Sequence, residues 1–571
     1  MRSFWAASLI LFLSGVLTSC INDDLDPCPE VPGNLASQNP AYYIEVNVQV
    51  PQDLKTRDGE PITDDLAAEN ECKIESIDLY FLQAEDEMQT VDGVTSVKVK
   101  KNTVLYALQK GDSDQFIDNG TDSEGQQQYT VKMKMDSNRF SGLARLAGKT
   151  VNLLAVCNPL GTINEGENAE PGTFQFTTEL FHQSGEGCNG KVLPMANTGY
   201  YPIDNFKDCS GDDTEAIIAQ IKTLFHPVGS DLIHKLGDPL EVERSVARLD
   251  LKDNTRGTHH TAEEWTYTIL NDLYIKLDGL LPFNVNRSSF IARHVAGSDD
   301  AEEAAENYFF LERPQESEHN YSKIWFADPT WQWNITGDNP NTYSKVASTD
   351  PNAENHYEIP LSIDEDGACY LSPLYTGNFT SISSFTGNGH TPIKEHYPFT
   401  YISENTIPKA SMWASDEETN ELPKYATGVA FRFKLLETDG ETPLTVSSFS
   451  EDEPAGASEE SKIPSVIRFD EEDESIRITN SEGNYIIVKP EGAPGATNDK
   501  RYYYITYYGF IDHGDTANGS PMAYSVVRNT VYQMSINDVT DIPQPKEPDS
   551  FFLALEIKVL AWVKRDITVT F

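Results

Sequence analysis

Positive charge is what this chain lacks most. Its 571 residues carry 43 Lys and Arg against 90 Asp and Glu, a formal net charge of −47. A chain that acidic repels phosphate backbones, and with no Lys/Arg cluster to oppose the repulsion it is not expected to bind nucleic acid. Long apolar runs are also missing: beyond residues 4–17 nothing approaches the about 20 residues that a bilayer-spanning helix needs. Catalytic signatures are absent too. No C-x-x-C, H-E-x-x-H, G-x-S-x-G or Walker-type loop occurs, and of the 11 histidines only His259 and His260 adjoin. Asp512-His513, between Gly509 and Gly514, reads as a solvent-facing turn. Asp364-Glu365-Asp366-Gly367 lacks the spaced carboxylates of a calcium loop, and the acidic stretch 450–475 reads as solvated. The chain is expected to be no enzyme, with no metal and no cofactor. With 39% apolar and 10% aromatic residues it is too rich in core-forming side chains to be disordered.

The first twenty residues address the chain. Met1 and Arg2 precede an apolar run from Phe4 to Leu17, then Leu17-Thr18-Ser19-Cys20. A basic start, a short apolar stretch and small residues before the cut describe a secretory signal. The ending resembles a bacterial lipobox, which makes Cys20 the expected lipidated residue after removal of residues 1–19. Asp23, Asp24 and Asp26 come directly after it, similar to the surface-export tether of Bacteroidetes lipoproteins. Lipid would then be the membrane attachment. Six further cysteines enter an oxidising compartment. Cys188 and Cys209 are the nearest pair in loop-like sequence, and a disulfide between them stays open.

Period-two alternation dominates the chain from residue 42 onward. Tyr42, Ile44, Val46, Val48 and Val50 face one way and Tyr43, Glu45, Asn47 and Gln49 the other, a strand with one buried face. Residues 52–71 are polar and read as an exposed loop carrying Lys55-Thr56-Arg57. Further strands are predicted at Lys73 to Leu82, Gln128 to Met135 and Val151 to Val156, and helices only at Asp213 to Phe225 and Asp300 to Tyr308. Many short strands with few helices predict a mainly β protein of two tandem β-sandwich domains. Gly229 to Pro239 is turn-rich, so the domains are placed at 58–240 and 241–540.

The last 21 residues are patterned for a partner. Phe551, Leu553, Leu555, Ile557, Val559, Ala561, Val563, Arg565, Ile567, Val569 and Phe571 alternate, and all but Arg565 are apolar. At roughly 3.3 Å per residue the stretch reaches about 70 Å, too long for one strand of one sandwich. The proline-rich segment Asp541 to Asp549 holds the chain extended ahead of it. Strand donation from a linker and donor strand at 541–571 fits this pattern; a last hairpin of the chain's own domain fits it as well. Proteolysis after Arg57 would disconnect the strand at 42–50 and leave a groove. The Ile-Val-Val-Val comb of that strand matches the Leu-Leu-Ile-Val comb at 553–559.

Several short motifs in order make the chain resemble a known family. Glu243-Arg244-Ser245-Val246-Ala247-Arg248, Tyr401 to Thr406 (Y-I-S-E-N-T), the aromatic strand Tyr502 to Tyr508, and Val526-Val527-Arg528-Asn529 with Tyr532 resemble elements of the Bacteroidetes fimbrillins, or type V pilins. The ending Leu555 to Trp562 then Ile567 to Phe571 resembles their tail, with Ala561 where proline is usual. The resemblance is greatest to stalk subunits of the minor, Mfa-type fimbriae. It implies transthyretin-like sandwiches and an outer-membrane lipoprotein precursor that becomes part of a cell-surface fimbrium. It also implies an arginine-specific protease cutting after Arg57 (Lys55 as fallback) to remove residues 20–57. The tail of one subunit then fills the groove of the next. The implied partners are further copies of the chain, head to tail, with anchor and tip subunits, and the implied role is adhesion. Two other readings stand beside it: a tip or accessory subunit, and a β-sandwich surface lipoprotein that binds glycans through exposed aromatics.

Overall fold

The structure, a computed structural model, describes most of residues 42–561. Residues 1–41, 165–171, 177–191, 228–239, 255–264, 297–309, 313–324, 335–341, 387–395, 408–423, 450–460, 493–500, 512–523, 544–552, 562–571 and some shorter loops, 57–60 among them, lie outside the described residues. Strands dominate. In chain order the first are β1 (Tyr42–Pro51), β2 (Asp53–Thr56), β3 (Pro61–Leu66), a one-turn helix α1 (Glu69–Cys72), β4 (Ile77–Val91), β5 (Val94–Gly111), β6 (Phe116–Thr121), β7 (Gln126–Met135) and β8 (Val151–Cys157).

Two sheets enclose the first core. One runs β6-β7-β1, with the short strands His226–Pro227 and Leu240–Glu241 on the far side of β1. The other carries β5-β4-β8, continuing into Met195–Ala196 and Glu243–Arg244. Val48, Val50, Tyr129 and Val131 from the first sheet pack with Ile77, Leu79, Phe81, Leu153 and Ala155 from the second. Alternate residues of β4 and β8 point away from this core: Tyr80, Leu82, Leu154 and Val156 join a second cluster with Val246, Leu249 and Leu251. Burial on both faces explains why β8 reads as an almost unbroken apolar run, V-N-L-L-A-V-C, rather than as an alternation.

A second pair of sheets lies beyond. Tyr397–Ser403, Val246–Asp253, Thr530–Val539 and Leu553–Ala561 lie side by side, and β2 and β3 complete that sheet. The facing sheet is Thr266–Leu270, Leu273–Phe283, Gly428–Leu435 and Tyr504–Phe510. Between them lie Leu249, Leu251, Ile275, Leu277, Phe431, Phe433, Ile505, Tyr507, Tyr532, Met534 and Ile536. The chain is thus built of layered β-sheets packed face to face, the mainly β architecture the alternation predicts.

Several elements differ from the sequence expectation. The polar segment 52–71 is not an open loop: it forms β2, β3 and α1, and places the charged side chain of Glu71 fully inside. The strand expected from Lys73 begins at Ile77 and runs on to Val91, pairing with β5 as a long hairpin. The helix expected over Asp213 to Phe225 spans Thr214–Lys222, and Asp213 Oδ1 accepts the Glu215 N–H at 3.1 Å in front of it. The helix expected at 300–308 lies outside the described residues.

Phenols in the second core tie stability to alkaline pH. Tyr503 is fully buried and donates to the Glu474 carbonyl at 2.7 Å. Burial first, then the Glu474 charge, pushes its phenol from the ordinary value near 10 up to about 12. Tyr504 is raised to about 12 as well, by burial and then by Asp278. The unfolded chain therefore loses these protons first. Their contribution is complete below pH 10 and is lost as pH rises through about 12, each unit removing at most about 1.4 kcal/mol for Tyr503. Urea midpoints taken from neutral pH upward are expected to hold until about pH 10 and then fall, more steeply for the native chain than for Tyr503→Phe.

Candidate functional site

The strand β1 is an interior strand, not an edge. Along one side it pairs antiparallel with β7 in ten register positions, from Tyr42 opposite Met135 to Pro51 opposite Gln126. On the other side Tyr42 and Tyr43 face Pro227 and His226, while Val48 and Gln49 run parallel to Leu240 and Glu241. The Val242 N–H donates to the Gln49 carbonyl at 3.1 Å and extends that second wall. Val48 and Val50 are completely buried. Each contributes roughly 1.5–3 kcal/mol by leaving water. Taking β1 away would uncover both backbone walls and the sockets of these two valines together.

The C-terminal strand Leu553–Ala561 lies in its own chain's sheet. It pairs antiparallel with Thr530–Val539, from Thr530 opposite Ala561 to Val539 opposite Leu553. Its other edge meets β2 at two positions, Lys55 opposite Ala561 and Thr56 opposite Leu560. The described strand covers Leu553, Leu555, Ile557 and Val559 of the alternating tail. Val563, Ile567, Val569 and Phe571 lie outside the described residues, as do Cys20, Arg57 and Cys188. Lys55 is the last residue but one of β2, and Cys209 is buried.

Residues of three of the quoted motifs, E-R-S-V-A-R, Y-I-S-E-N-T and V-V-R-N, come together in buried polar clusters. Arg248 is wholly buried; its Nη1 reaches both oxygens of Glu71 at 2.9 and 2.8 Å, and its Nε and Nη2 reach Asp250 at 2.8 and 2.9 Å. The Tyr401 hydroxyl donates to Glu71 Oε1 at 2.8 Å. Arg244 donates from Nε to the Glu71 carbonyl at 2.9 Å and from Nη2 to Cys72 Sγ at 3.1 Å, and its own N–H is held by Asn529 Oδ1 at 3.2 Å. Arg528 donates to Glu404 Oε2 at 3.0 Å and to Ser289 Oγ at 2.7 Å. Burial pushes the Cys72 thiol up and the neighbouring Arg244 charge opposes it. Burial likewise raises the Asp250 carboxyl against the pull of Arg248.

The geometry gives the cluster a positioning role. Leu240–Glu241, one wall of the groove, leads directly into Arg244 and Arg248. Those arginines grip Glu71 and Cys72, at the start of the chain downstream of residue 57. Sequence reasoning missed Glu71 because its neighbours Glu69 and Asn70 are polar. The available signal was on the other partner: V-A-R-L-D-L places Arg248 and Asp250 in a strand whose residues 246–251 are all buried, so both charges need partners.

The aromatic strand holds no open platform of rings. Tyr503 and Tyr507 are in the core. Tyr504 stacks under the Arg432 guanidinium at 4.6 Å and Tyr502 under the Lys434 ammonium at 4.8 Å.

Removing one partner of a buried charge pair costs about 3–5 kcal/mol, because the other charge is left uncompensated. Glu71→Ala is expected to lower unfolding stability by that amount in guanidinium titrations. Glu75→Ala breaks only the half-exposed pair with Lys73 (2.7 Å; both side chains 53% exposed) and should cost at most about 1 kcal/mol. Equal losses for the two would refute the clamp.

No family model matches this chain, and neither does any curated protein. Among solved structures it is similar to a candidate cell adhesion protein from Parabacteroides distasonis, at 12% identity over 91% of this chain and 98% of that one, with a TM-score of 0.36. It is also similar to the tip fimbrial protein Mfa3 from Porphyromonas gingivalis with C-terminal truncation, at 10% identity over 91% and 99% of the two chains and a TM-score of 0.28. A fimbrial assembly protein from Parabacteroides distasonis shares 11% identity over 53% of this chain and 86% of that chain, with a TM-score of 0.22. At such identities and scores no residue role passes from those proteins to this one.

Proposed function

We propose that this chain is a structural subunit of a surface fimbria that polymerises by strand exchange after proteolysis. The observation that carries the reading is the position of β1: it lies at the start of the described chain yet is held between two walls of one sheet. In this reading the chain is exported as a lipoprotein through Cys20 and cut after Arg57, with Lys55 as the fallback. The cut falls between β2 and β3, so β1 and β2 leave as one piece.

That single cut has two effects. It opens the groove between β7 and Leu240–Glu241, and it strips β2 from the outer edge of the C-terminal strand. The tail is then an edge strand with one neighbour, Thr530–Val539. In the vacated groove of another subunit it would have a neighbour on each side. The exchange trades a one-sided ladder for a two-sided one, and this gain drives assembly. Five side chains inserted into the groove would add on the order of 10 kcal/mol gross. Register is enforced because a slip by one residue turns every apolar side chain outward. Head-to-tail donation is a heterologous contact and grows open filaments. Anchor and tip subunits would end the filament, and adhesion is the role that surface display suggests.

Treatment of the precursor with an arginine-specific protease is expected to give ladders of high-mass species on gels. Arg57→Ala should stay monomeric under the same treatment; ladders formed equally well by that variant would reject the assigned cut. A chain lacking 549–571 should fold and be processed but fail to assemble, and normal filaments from it would reject the donor role.

A further inference from the structure

A further buried charge pair joins Lys345 and Asp328. Lys345 ends the strand Thr342–Lys345, and Asp328 precedes the strand Trp331–Asn334 with which it forms a hairpin, Trp331 opposite Lys345. The Lys345 side chain is 1% exposed and that of Asp328 is 0%, with Nζ 2.7 Å from Oδ2. Asp328 sits in a ring of donors. Oδ1 accepts the Thr330 N–H at 2.8 Å and also the Thr330 hydroxyl; Oδ2 accepts the Thr406 N–H at 2.7 Å and the Thr406 hydroxyl at 3.1 Å. A second carboxyl group, fully buried Glu404, lies close enough for its charge to act on Lys345. Among the described residues Glu404 Oε1 has no hydrogen-bond partner.

We propose that Lys345 Nζ and Asp328 Cγ condense to an isopeptide bond inside the folded chain. The starting pair is an ammonium and a carboxylate. One proton passes from nitrogen to the carboxyl group, giving a neutral amine and a neutral acid. The amine lone pair then attacks Cγ, the Cγ–N bond forms, and the Cγ–Oδ2 bond breaks. Oδ2 departs as water with the acid proton and a second amine proton, so no oxidant or reductant is required. Oδ1 remains as the amide carbonyl.

Each part of the site suits a part of that step. Burial lowers the affinity of Lys345 for its third proton, which favours the nucleophilic amine. The two donors on Oδ1, one of them a backbone N–H, are placed to stabilise the oxyanion formed on attack. The direct contact of Nζ with Oδ2 at 2.7 Å is the path for the proton that must cross from nitrogen to oxygen. Fixed contact at 2.7 Å replaces a bimolecular encounter, which for well-oriented groups is equivalent to an effective concentration on the order of 10⁵–10⁸ M. The amide also removes two charges from a buried site.

The test is the mass of the folded, full-length chain together with a trypsin digest. The expected chain is lighter than its sequence by one water. Trypsin then fails to cut after Lys345 and leaves the segment 324–394, with fragment ions joining Asp328 to Lys345. Lys345→Arg, which keeps a cation but cannot form the amide, should restore the full mass; Asp328→Asn should lose ammonia instead of water. A native chain of full mass that trypsin cuts normally after Lys345 overturns the proposal. So does a water loss that persists in Lys345→Arg or maps to an Asp-Gly step such as Asp366-Gly367.

Discussion

Much of this structure depends on one carboxylate being taken out of water. Glu71 lies fully inside the protein and survives there because Arg248 and Tyr401 surround it. An isolated buried carboxylate would cost several kcal/mol. The partners come from distant parts of the chain: Arg248 is 177 residues away and Tyr401 is 330. The cluster therefore does what an apolar core cannot do as selectively. Apolar side chains tolerate alternative packing, whereas a misplaced arginine here leaves two charges unpaired, so the ion pair specifies one register for the strands that carry it.

That specification matters for the groove. The wall at Leu240–Glu241 is short, and a two-residue strand has little stability of its own. It is held because the next residues, Glu243 and Arg244, are paired in the neighbouring sheet and because Arg244 is tied to Glu71 and Asn529. The same residues that carry the family resemblance are thus the ones that anchor the second neighbour of β1, which gives those short motifs a physical reason to occur together.

Much of the layout is legible from the residues. The alternation at 42–50 reads as a strand, and the structure shows Tyr42–Pro51; Gln128 to Met135 and Val151 to Val156 match within two residues. These positions are readable because a half-buried strand writes its period directly into the sequence. What is not legible is the burial of charge. Nothing near Glu71 distinguishes it from the solvated Glu75 four residues on, since its burial depends on an arginine that only the fold brings near. The C-terminal comb is legible as a strand, but an alternating pattern is the same whether its neighbour is Thr530–Val539 of its own chain or β7 of another. Topology decides that, and periodicity carries no topology.

One pairing has a further consequence. Val246–Asp253 runs parallel to Thr530–Val539, with Arg248 opposite Val531. A chain emerging from its amino end makes the first of these strands long before the second exists. Until the final segment arrives, Val246–Asp253 has only Tyr397–Ser403 beside it and the buried arginines lack Asn529. High contact order of this kind slows folding and prolongs the lifetime of sticky intermediates. The sheet built on this pair stays unfinished until synthesis is nearly complete, so its apolar face is exposed for longer than a pairing of neighbouring strands would leave it.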